Sequence, residues 1–335
     1  MKPFERLFNR LDNKKIDKTP NLNIVMLFAA KEIGVPYSKY CLDYKLLVEG
    51  NIVCAEKYGL DCVTTMSDSM REVSGLGGKV LYPDDDVPYN EEFLIKGRND
   101  LNKLHPIQPC DSERMTDSIK AIEAYKQRLC DDYPIIGWVE GCMAEAADLY
   151  GVNNLLVDLI DEPDFILDLM EVCLEQEILF AKEQIKAGAD IIGVGDAIAS
   201  VAGPNLYRQL ALPFEIKLLK AIKDMGAKTK LHICGNITPF LELIPSDYCD
   251  IIDIDWMVPL ERAVELHGNK SCICGNYDPV AILLMSDENK VREAVAHCVE
   301  IGGDRYISSA GCEVPKYTPQ RNLQVINELL LCSTP

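Results

Sequence analysis

Several features that define other classes of protein are scarce in this 335-residue chain. Lysine and arginine total 34 against 53 aspartates and glutamates, a net charge of -19. Nucleic-acid binding needs clustered cations, so this composition argues against a nucleic-acid partner. The longest uninterrupted apolar run, Ile24–Ala30, is too short to span a bilayer, and the charged start MKPFERLFNRLDNKK has no apolar signal region. We therefore expect a soluble cytoplasmic protein with no membrane contact.

The chain also lacks internal repeats, low-complexity tracts and Gly/Ser-rich linkers. A single domain over residues 1–335 is the simplest prediction, with an irregular N-terminal extension of about residues 1–20. No glycine-rich dinucleotide-binding motif follows an early predicted strand, which disfavours a doubly wound open sheet.

Fourteen cysteines are present, but they are spread through a chain that has enough apolar residues to fold without disulfides. In a reducing compartment, such cysteines are better explained by core packing together with a metal site.

From Pro134 onward, short apolar segments of strand length alternate with longer segments of helical periodicity. The helix ends are recognisable: Pro163 suits a first helical position, Gly188 suits a helix end, and Ser286 suits an N-cap. Alternation of this kind predicts a parallel sheet, and eight units predict a closed (β/α)8 TIM barrel. The predicted strands are Ile24–Phe28, Asp61–Thr65, Pro134–Val139, Ala189–Val194, Lys228–Ile233, Asp250–Ile254, Ser271–Cys274 and Arg305–Ser309.

Two distant segments carry the residues of a predicted metal site. His232 and Cys234 lie two positions apart at the end of one predicted strand, so their side chains point to the same side. Cys312 follows the last predicted strand, and in a barrel it opens onto the same carboxyl-terminal end. One imidazole and two thiolates are typical ligands of Zn²⁺, and three protein ligands leave a fourth position for water or substrate. Core packing alone is the alternative explanation for each residue taken singly.

The sequence resembles the uroporphyrinogen decarboxylase superfamily, and within it the branch of cobamide-dependent methyltransferases. The resemblance covers most of the chain and runs through the segments Ile191–Asp196, His232–Asn236, Ile254–Trp256, Gly275–Pro279 and Ser309–Pro315. It implies a (β/α)8 barrel, in agreement with the strand count. In the methyltransferase branch, the residues that match His232, Cys234 and Cys312 bind catalytic zinc.

The resemblance implies transfer of a methyl group between a small methylated substrate, or a methyl acceptor, and a cobamide. The substrate group is O-methyl, N-methyl or a thiol, and the sequence leaves the direction of transfer open. The chain lacks the Asp-x-His-x-x-Gly signature of cobalamin binding, so the cobamide is expected on a separate corrinoid protein. Residues 195–200 differ from the thiol-specific members, which argues against coenzyme M as the acceptor.

A metal-independent decarboxylase of the same superfamily is the main alternative. Those enzymes have an arginine-rich N-terminal signature, whereas residues 23–40 contain lysines and no arginine. Arg71 is a possible anion contact, although a solvated surface arginine is the simpler interpretation. A catalytically silent barrel, with its zinc closed by a fourth protein ligand, is the third possibility.

Five further residues are candidates for supporting roles. Glu140, Asp196 and Asp255 end predicted strands, where they could act in acid–base chemistry or orient substrate, or simply bond to loop amides. Asn236 and Asn276 each follow a glycine and are candidates for substrate binding, although Gly-Asn is also a common turn pair. Cys142 lies near the predicted barrel mouth as a fourth ligand, a redox-sensitive neighbour or, as we favour, a small packed residue.

Overall fold

The computed structural model describes residues 1–332 and contains, within them, fifteen α-helices and nine strands. The strands are β1 Val63–Thr64, β2 Lys79–Leu81, β3 Tyr89–Glu92, β4 Ile135–Glu140, β5 Ile191–Gly195, β6 Lys228–Ile233, β7 Ile251–Ile254, β8 Cys272–Tyr277 and β9 Tyr306–Ala310. The helices are α1 Pro3–Leu11, α2 Leu27–Glu32, α3 Tyr37–Leu42, α4 Tyr44–Tyr58, α5 Met70–Gly75, α6 Arg98–Leu101, α7 Glu113–Leu129, α8 Cys142–Tyr150, α9 Val152–Asp161, α10 Pro163–Ala187, α11 Ala199–Leu206, α12 Leu212–Asp224, α13 Leu260–His267, α14 Glu288–Gly302 and α15 Gln320–Cys332.

The central sheet is parallel and follows the order β1-β4-β5-β6-β7-β8-β9. Its strands are buried on both faces, as expected when helices cover the outside of a closed sheet. The strand predictions from Pro134 onward are confirmed, and Asp61–Thr65 is confirmed in part as the short β1. Strands β2 and β3 form a separate antiparallel hairpin.

The predicted first strand, Ile24–Phe28, is wrong, because α2 begins at Leu27. An extended segment just before it, Pro20–Leu22, lies between the two edges of the sheet instead. The Leu22 N–H donates to the Ser308 carbonyl of β9, and the Asp61 N–H donates to the Asn21 carbonyl. The gap between β9 and β1 is therefore bridged by a polar segment that has no apolar strand pattern.

The barrel interior is layered from apolar to polar along the strands. At the amino-terminal end, Leu7 and Leu11 of α1 belong to the same buried cluster as Ile136, Ile191 and Ile307. Residues 1–20, predicted to be irregular, thus include a helix that closes this end of the barrel. Further along, alternate residues become polar: Trp138 and Glu140 on β4, and Lys230 and His232 on β6.

The helix ends predicted from the sequence agree with those in the structure, with one exception. Pro163 occupies the first turn of α10, and Gly188 ends it in a left-handed conformation with φ 112°. The N-cap of α14 is Asp287, whose carboxylate accepts from two backbone amides, so the choice of Ser286 is wrong by one residue. Within residues 1–332 we find no helix whose length and apolar character would allow it to cross a membrane.

The junction between the barrel edges gives a stability prediction. Asp61 is buried, pairs with Arg6, lies 3.3 Å from the Lys18 Nζ and accepts from the Asn21 N–H at 2.8 Å. We expect Asp61→Asn to lower the free energy of unfolding by about 3 kcal/mol, because buried cations lose their counter-charge. Urea unfolding followed by circular dichroism measures this. Asp168→Asn is the matched control: it breaks an exposed pair with Arg98 and should change stability by less than about 1 kcal/mol.

Candidate metal centre

Three side chains predicted as metal ligands meet at the carboxyl-terminal end of the barrel, which we call the mouth. His232 lies near the end of β6, Cys234 follows that strand, and Cys312 follows β9. Their ligand atoms all lie within 4.8 Å of one another, and His232 Nε2 is 3.1 Å from Cys234 Sγ. This spacing suits a single ion held by one nitrogen and two sulfur atoms.

A buried carboxylate fixes the orientation of the imidazole. His232 Nδ1 lies 3.2 Å from the Asp253 carbonyl oxygen and 3.4 Å from its carboxylate, so Nε2 is the nitrogen turned towards the cysteines. Asp253 is in turn paired with Lys230, whose Nζ lies 5.1 Å from the centre of the Trp138 ring. A carboxylate behind a ligating histidine is the usual arrangement in metal sites, because it orients the ring and makes it a better donor.

The electrostatics of the cluster favour a thiolate beside a cation. Hydrogen bonding from Cys234, together with nearby His232, lowers the pKa of Cys312 to about 4 despite its burial. Sharing that hydrogen bond raises the pKa of Cys234. Burial opposes charge on Asp253, but Lys230 and His232 outweigh it and bring its pKa to about 2. The donor set is therefore prepared for a positive ion.

The loops that carry the ligands are tied to each other. The Asp255 carboxylate accepts from the backbone N–H of Gly235 at 2.9 Å and of Met257 at 3.2 Å. Asn276 donates its side-chain amide to the carbonyl oxygens of Asp255 and Val258, at 3.2 and 2.6 Å. A Cβ atom on Gly311 would lie 2.1 Å from the backbone nitrogen of Trp256, so only glycine allows Cys312 its close approach.

These contacts bear on the predicted roles of the strand-end residues. Asp255 bonds to loop amides, and Asn276 holds the turn that follows β7, so both are placed to position the ligand loops. Asp196 is buried, and its carboxylate accepts from the Ala144 N–H at the start of α8. Asn236 is exposed and accepts from the Thr238 N–H. Cys142 is 1% exposed and is not among the three clustered ligands in the described chain.

Glu140 faces the mouth from the neighbouring wall. It pairs in register with Gly195, which in turn pairs with His232, so one glycine separates the carboxylate from the imidazole. Its Oε1 accepts from Arg71 at 3.2 Å. Arg71 is 0% exposed, so its interpretation as a solvated surface residue is wrong; it is a buried counter-ion.

A cluster of buried carboxyl groups lies behind Glu140 and was missed in the sequence. Glu72, Glu145 and Glu177 are each 0% exposed, and none of their oxygens has a hydrogen-bond partner among residues 1–332. Burial raises the pKa of all three and also that of Glu140. A buried guanidinium needs at least one ionised partner, and Glu140 is hydrogen-bonded to it. We therefore assign the negative charge to the two partners of Arg71, Glu140 at 3.2 Å and Glu72 at 3.6 Å, and protons to Glu145 and Glu177.

Fold and site together define a TIM-barrel protein with a cluster of three side chains at its mouth that could hold a metal ion. Residues 2–330 match the family model described as uroporphyrinogen decarboxylase (URO-D). The chain belongs to this family.

Similar proteins of two kinds are found along nearly the whole chain. It is 27% identical to the methylcobamide:CoM methyltransferase MtbA of Methanosarcina mazei, over 97% of this chain and 96% of that protein. It is 26% identical to the uroporphyrinogen decarboxylase of Carboxydothermus hydrogenoformans, over 89% of this chain and 87% of that protein. A solved methyltransferase structure from Methanosarcina mazei has the same fold, with a TM-score of 0.89, 22% identity and 98% coverage of both chains. The recognised superfamily and its methyltransferase branch are thereby supported.

The carboxylate behind His232 gives a prediction about metal affinity. Asp253→Asn keeps the size of the side chain but removes the charge that orients and polarises the imidazole. We expect metal affinity to fall by about 10- to 100-fold, measured by competition with a chromogenic chelator. Asp287→Asn, which changes an exposed helix cap, serves as the control and should leave affinity unchanged. Equal affinity in both variants would contradict the role given to Asp253.

The buried glutamates give a prediction about pH. Because the folded-state pKa of Glu177 is raised, its contribution to stability is complete below the unfolded value of about 4.3 and is lost as pH rises through the folded value. As the pH rises from 5 to 8, the free energy of unfolding should therefore fall less steeply in Glu177→Gln than in the wild type. The difference between the two slopes should be about 1 kcal/mol per pH unit. Urea unfolding at four pH values tests this. Glu175→Gln, on the exposed side of the same helix, should follow the wild type.

Proposed function

We propose that this chain is a zinc-dependent methyltransferase. It moves a methyl group between a small methylated substrate, or a methyl acceptor, and the cobamide of a separate corrinoid protein. The observation that carries the proposal is the convergence of His232, Cys234 and Cys312 within 4.8 Å at the barrel mouth. The named methyltransferases among the similar proteins support the same reaction class.

The side chains present fit a Zn²⁺ ion. One neutral imidazole and two thiolates would balance its charge, and Asp253 already holds the imidazole in the orientation that coordination needs. When bound, zinc would lower the pKa of a thiol, or stabilise the heteroatom that leaves when a methyl group is removed. Three protein ligands leave the fourth position for that substrate atom.

The residues around the three ligands have separable tasks in this proposal. Asp255 and Asn276 hold the two ligand loops together, so the ligand atoms stay in place when substrate exchanges. Glu140 is placed to exchange a proton with a group that lies between β4 and β6, because its Oε2 points towards Gly195. Asp196 supports the α8 turn, and Asn236, which is exposed, is the side chain of this set that an incoming substrate meets first.

The cobamide is supplied by the partner, since the chain has no cobalamin-binding signature. The partner's cobamide would supply the cobalt that gives or takes the methyl group, at the barrel mouth where His232, Cys234 and Cys312 would hold the zinc ion. The segments that follow β5, β7 and β8 carry exposed apolar side chains: Val201 in α11, Trp256 in the turn after β7, and Val280 in the helical turn after β8.

Decarboxylation is the second candidate, since curated decarboxylases are among the similar proteins. Within the described residues, the two buried arginines near the mouth, Arg71 and Arg114, already pair with Glu140 and Asp68. A porphyrinogen bears several carboxylates and would need cations that are free to bind them. Release of CO2 from a porphyrinogen would support this alternative.

A cysteine replacement tests the proposed function directly. Purified wild-type protein should contain about one zinc per chain, and Cys312→Ala should lose both the metal and the ability to demethylate methylcobalamin in the presence of thiols. Elemental analysis and the absorbance of cobalt measure the two effects. Cys142→Ala removes another buried thiol and should retain the metal. Metal-free wild-type protein, or full activity of Cys312→Ala, would refute the proposal.

A further inference from the structure

The loop that carries Cys312 is held on two sides by backbone hydrogen bonds. On the side of β8, the Gly311 N–H donates to the carbonyl of the last residue of that strand at 2.9 Å. On the other side lies an N-terminal segment, residues 21–24, whose Ile24 carbonyl accepts from the Val314 N–H at 2.8 Å. The loop of one candidate metal ligand is therefore attached to the beginning of the chain, which supplies no ligand itself.

One buried side chain of this segment joins β9 to β8. Asn23 is 2% exposed, and its side-chain oxygen accepts at 2.9 Å from the N–H of Ala310, two residues before Cys312. Its side-chain nitrogen donates to the hydroxyl oxygen of Tyr277 and to the side-chain oxygen of Asn21, each at 2.7 Å. An amide suits this position because it accepts on one atom and donates on the other.

Loss of this amide would affect the Cys312 loop before it affects the rest of the sheet. A buried backbone N–H at the end of β9 would lack its partner, which is costly, and a shift of the chain nearby would relieve that cost. Strand β9 is buried along its whole length, whereas Cys312 is only partly buried and has more room to move. The Cys234 loop is held separately, through Asp255. A shift would therefore move one candidate ligand relative to the other two.

We propose that Asn23 is a positioning residue of the metal centre, which holds Cys312 at bonding distance from the ion that the other two ligands share. Assembly of the centre then depends on the N-terminal segment as well as on the strands that carry the ligands. This inference rests on the proposed function, because it takes the three clustered side chains to bind an ion.

Cobalt(II), bound in place of zinc, reports the arrangement of the ligands without any need for turnover. Its visible absorption depends on the number of thiolates bound and on the geometry around the ion. Asn23→Ala should weaken or shift this absorption. It should also speed release of the ion to a chelator by about tenfold, as expected when an outer partner of a metal site is lost.

Asn51→Ala is the matched control that separates positioning from stability. Asn51 is also 2% exposed, and its side-chain nitrogen donates to a tyrosine hydroxyl and to a backbone carbonyl. Its side-chain oxygen accepts from the N–H of Thr64 in β1, a strand that carries no candidate metal ligand. Asn51→Ala should lower the urea midpoint about as much as Asn23→Ala does, yet keep the wild-type absorption and release rate of cobalt(II).

Two further variants dissect the contact. Asn23→Asp keeps the oxygen that accepts from Ala310 but places a charge in a buried position, so it should lose stability and still restore the wild-type cobalt(II) absorption. Tyr277→Phe removes only the hydroxyl group that receives the Asn23 amide. It should fold even if Asn23→Ala does not, and should release cobalt(II) faster than the wild type; an unchanged release rate would count against the proposal.

The outcomes separate this inference from the proposed function. Unchanged cobalt(II) absorption and release in Asn23→Ala, or equal changes in Asn23→Ala and Asn51→Ala, would overturn the positioning role even if the wild type transfers methyl groups. A wild type that binds no cobalt(II) would overturn it together with the metal centre. The expected effects of Asn23→Ala in a protein without methyl transfer would uphold the positioning role and refute the methyltransferase proposal.

Discussion

The ion pair between Lys230 and Asp253, inside the barrel, is the interaction on which the site depends. Both side chains are almost completely buried, and neither charge could stay there alone. Pairing lets the interior change from apolar to polar along the strands. Asp253 then has a second task, because its charge also orients His232. Asp253 thus serves both the buried ion pair and the orientation of a candidate metal ligand.

Contacts between loops also position the two cysteines. Cys234 and Cys312 come from strands that are not neighbours in the sheet, and the turn after β7 lies between them. Asp255 holds that turn to the Cys234 loop through Gly235, and Gly311 lets the Cys312 loop pack against Trp256. The positions of the candidate ligands are therefore set by contacts among three loops.

Charge in the wall of the mouth is distributed unevenly. Arg71 pairs with both Glu140 and Glu72, while Glu145 and Glu177 have no hydrogen-bond partner in the described residues and are accommodated by holding protons. Such an arrangement costs stability as pH rises, because these carboxyl groups ionise more readily in the unfolded chain than in the folded one.

Periodicity and residue type alone determined much of this protein. The alternation of apolar strands and amphipathic helices from Pro134 onward predicted the barrel, because doubly buried parallel strands leave a clear pattern. The triplet His232, Cys234 and Cys312 was also readable, since strand ends of a barrel share one face. The segment that fills the first strand position of the barrel could not be predicted from the sequence. It is the polar segment Pro20–Leu22, which is held there by backbone hydrogen bonds and has no apolar strand pattern.

Tertiary structure decided the rest, because burial and pairing are properties of contacts. Arg71 looked like a surface residue until its neighbours proved to be Glu140 and Glu72. Lys230 and Asp253 lie in separate strands, and although a lysine and an aspartate within apolar strands are a signal, only the register brings them together beside His232. The sequence determined which groups could bind a metal ion, and the fold decided which charges support and face it.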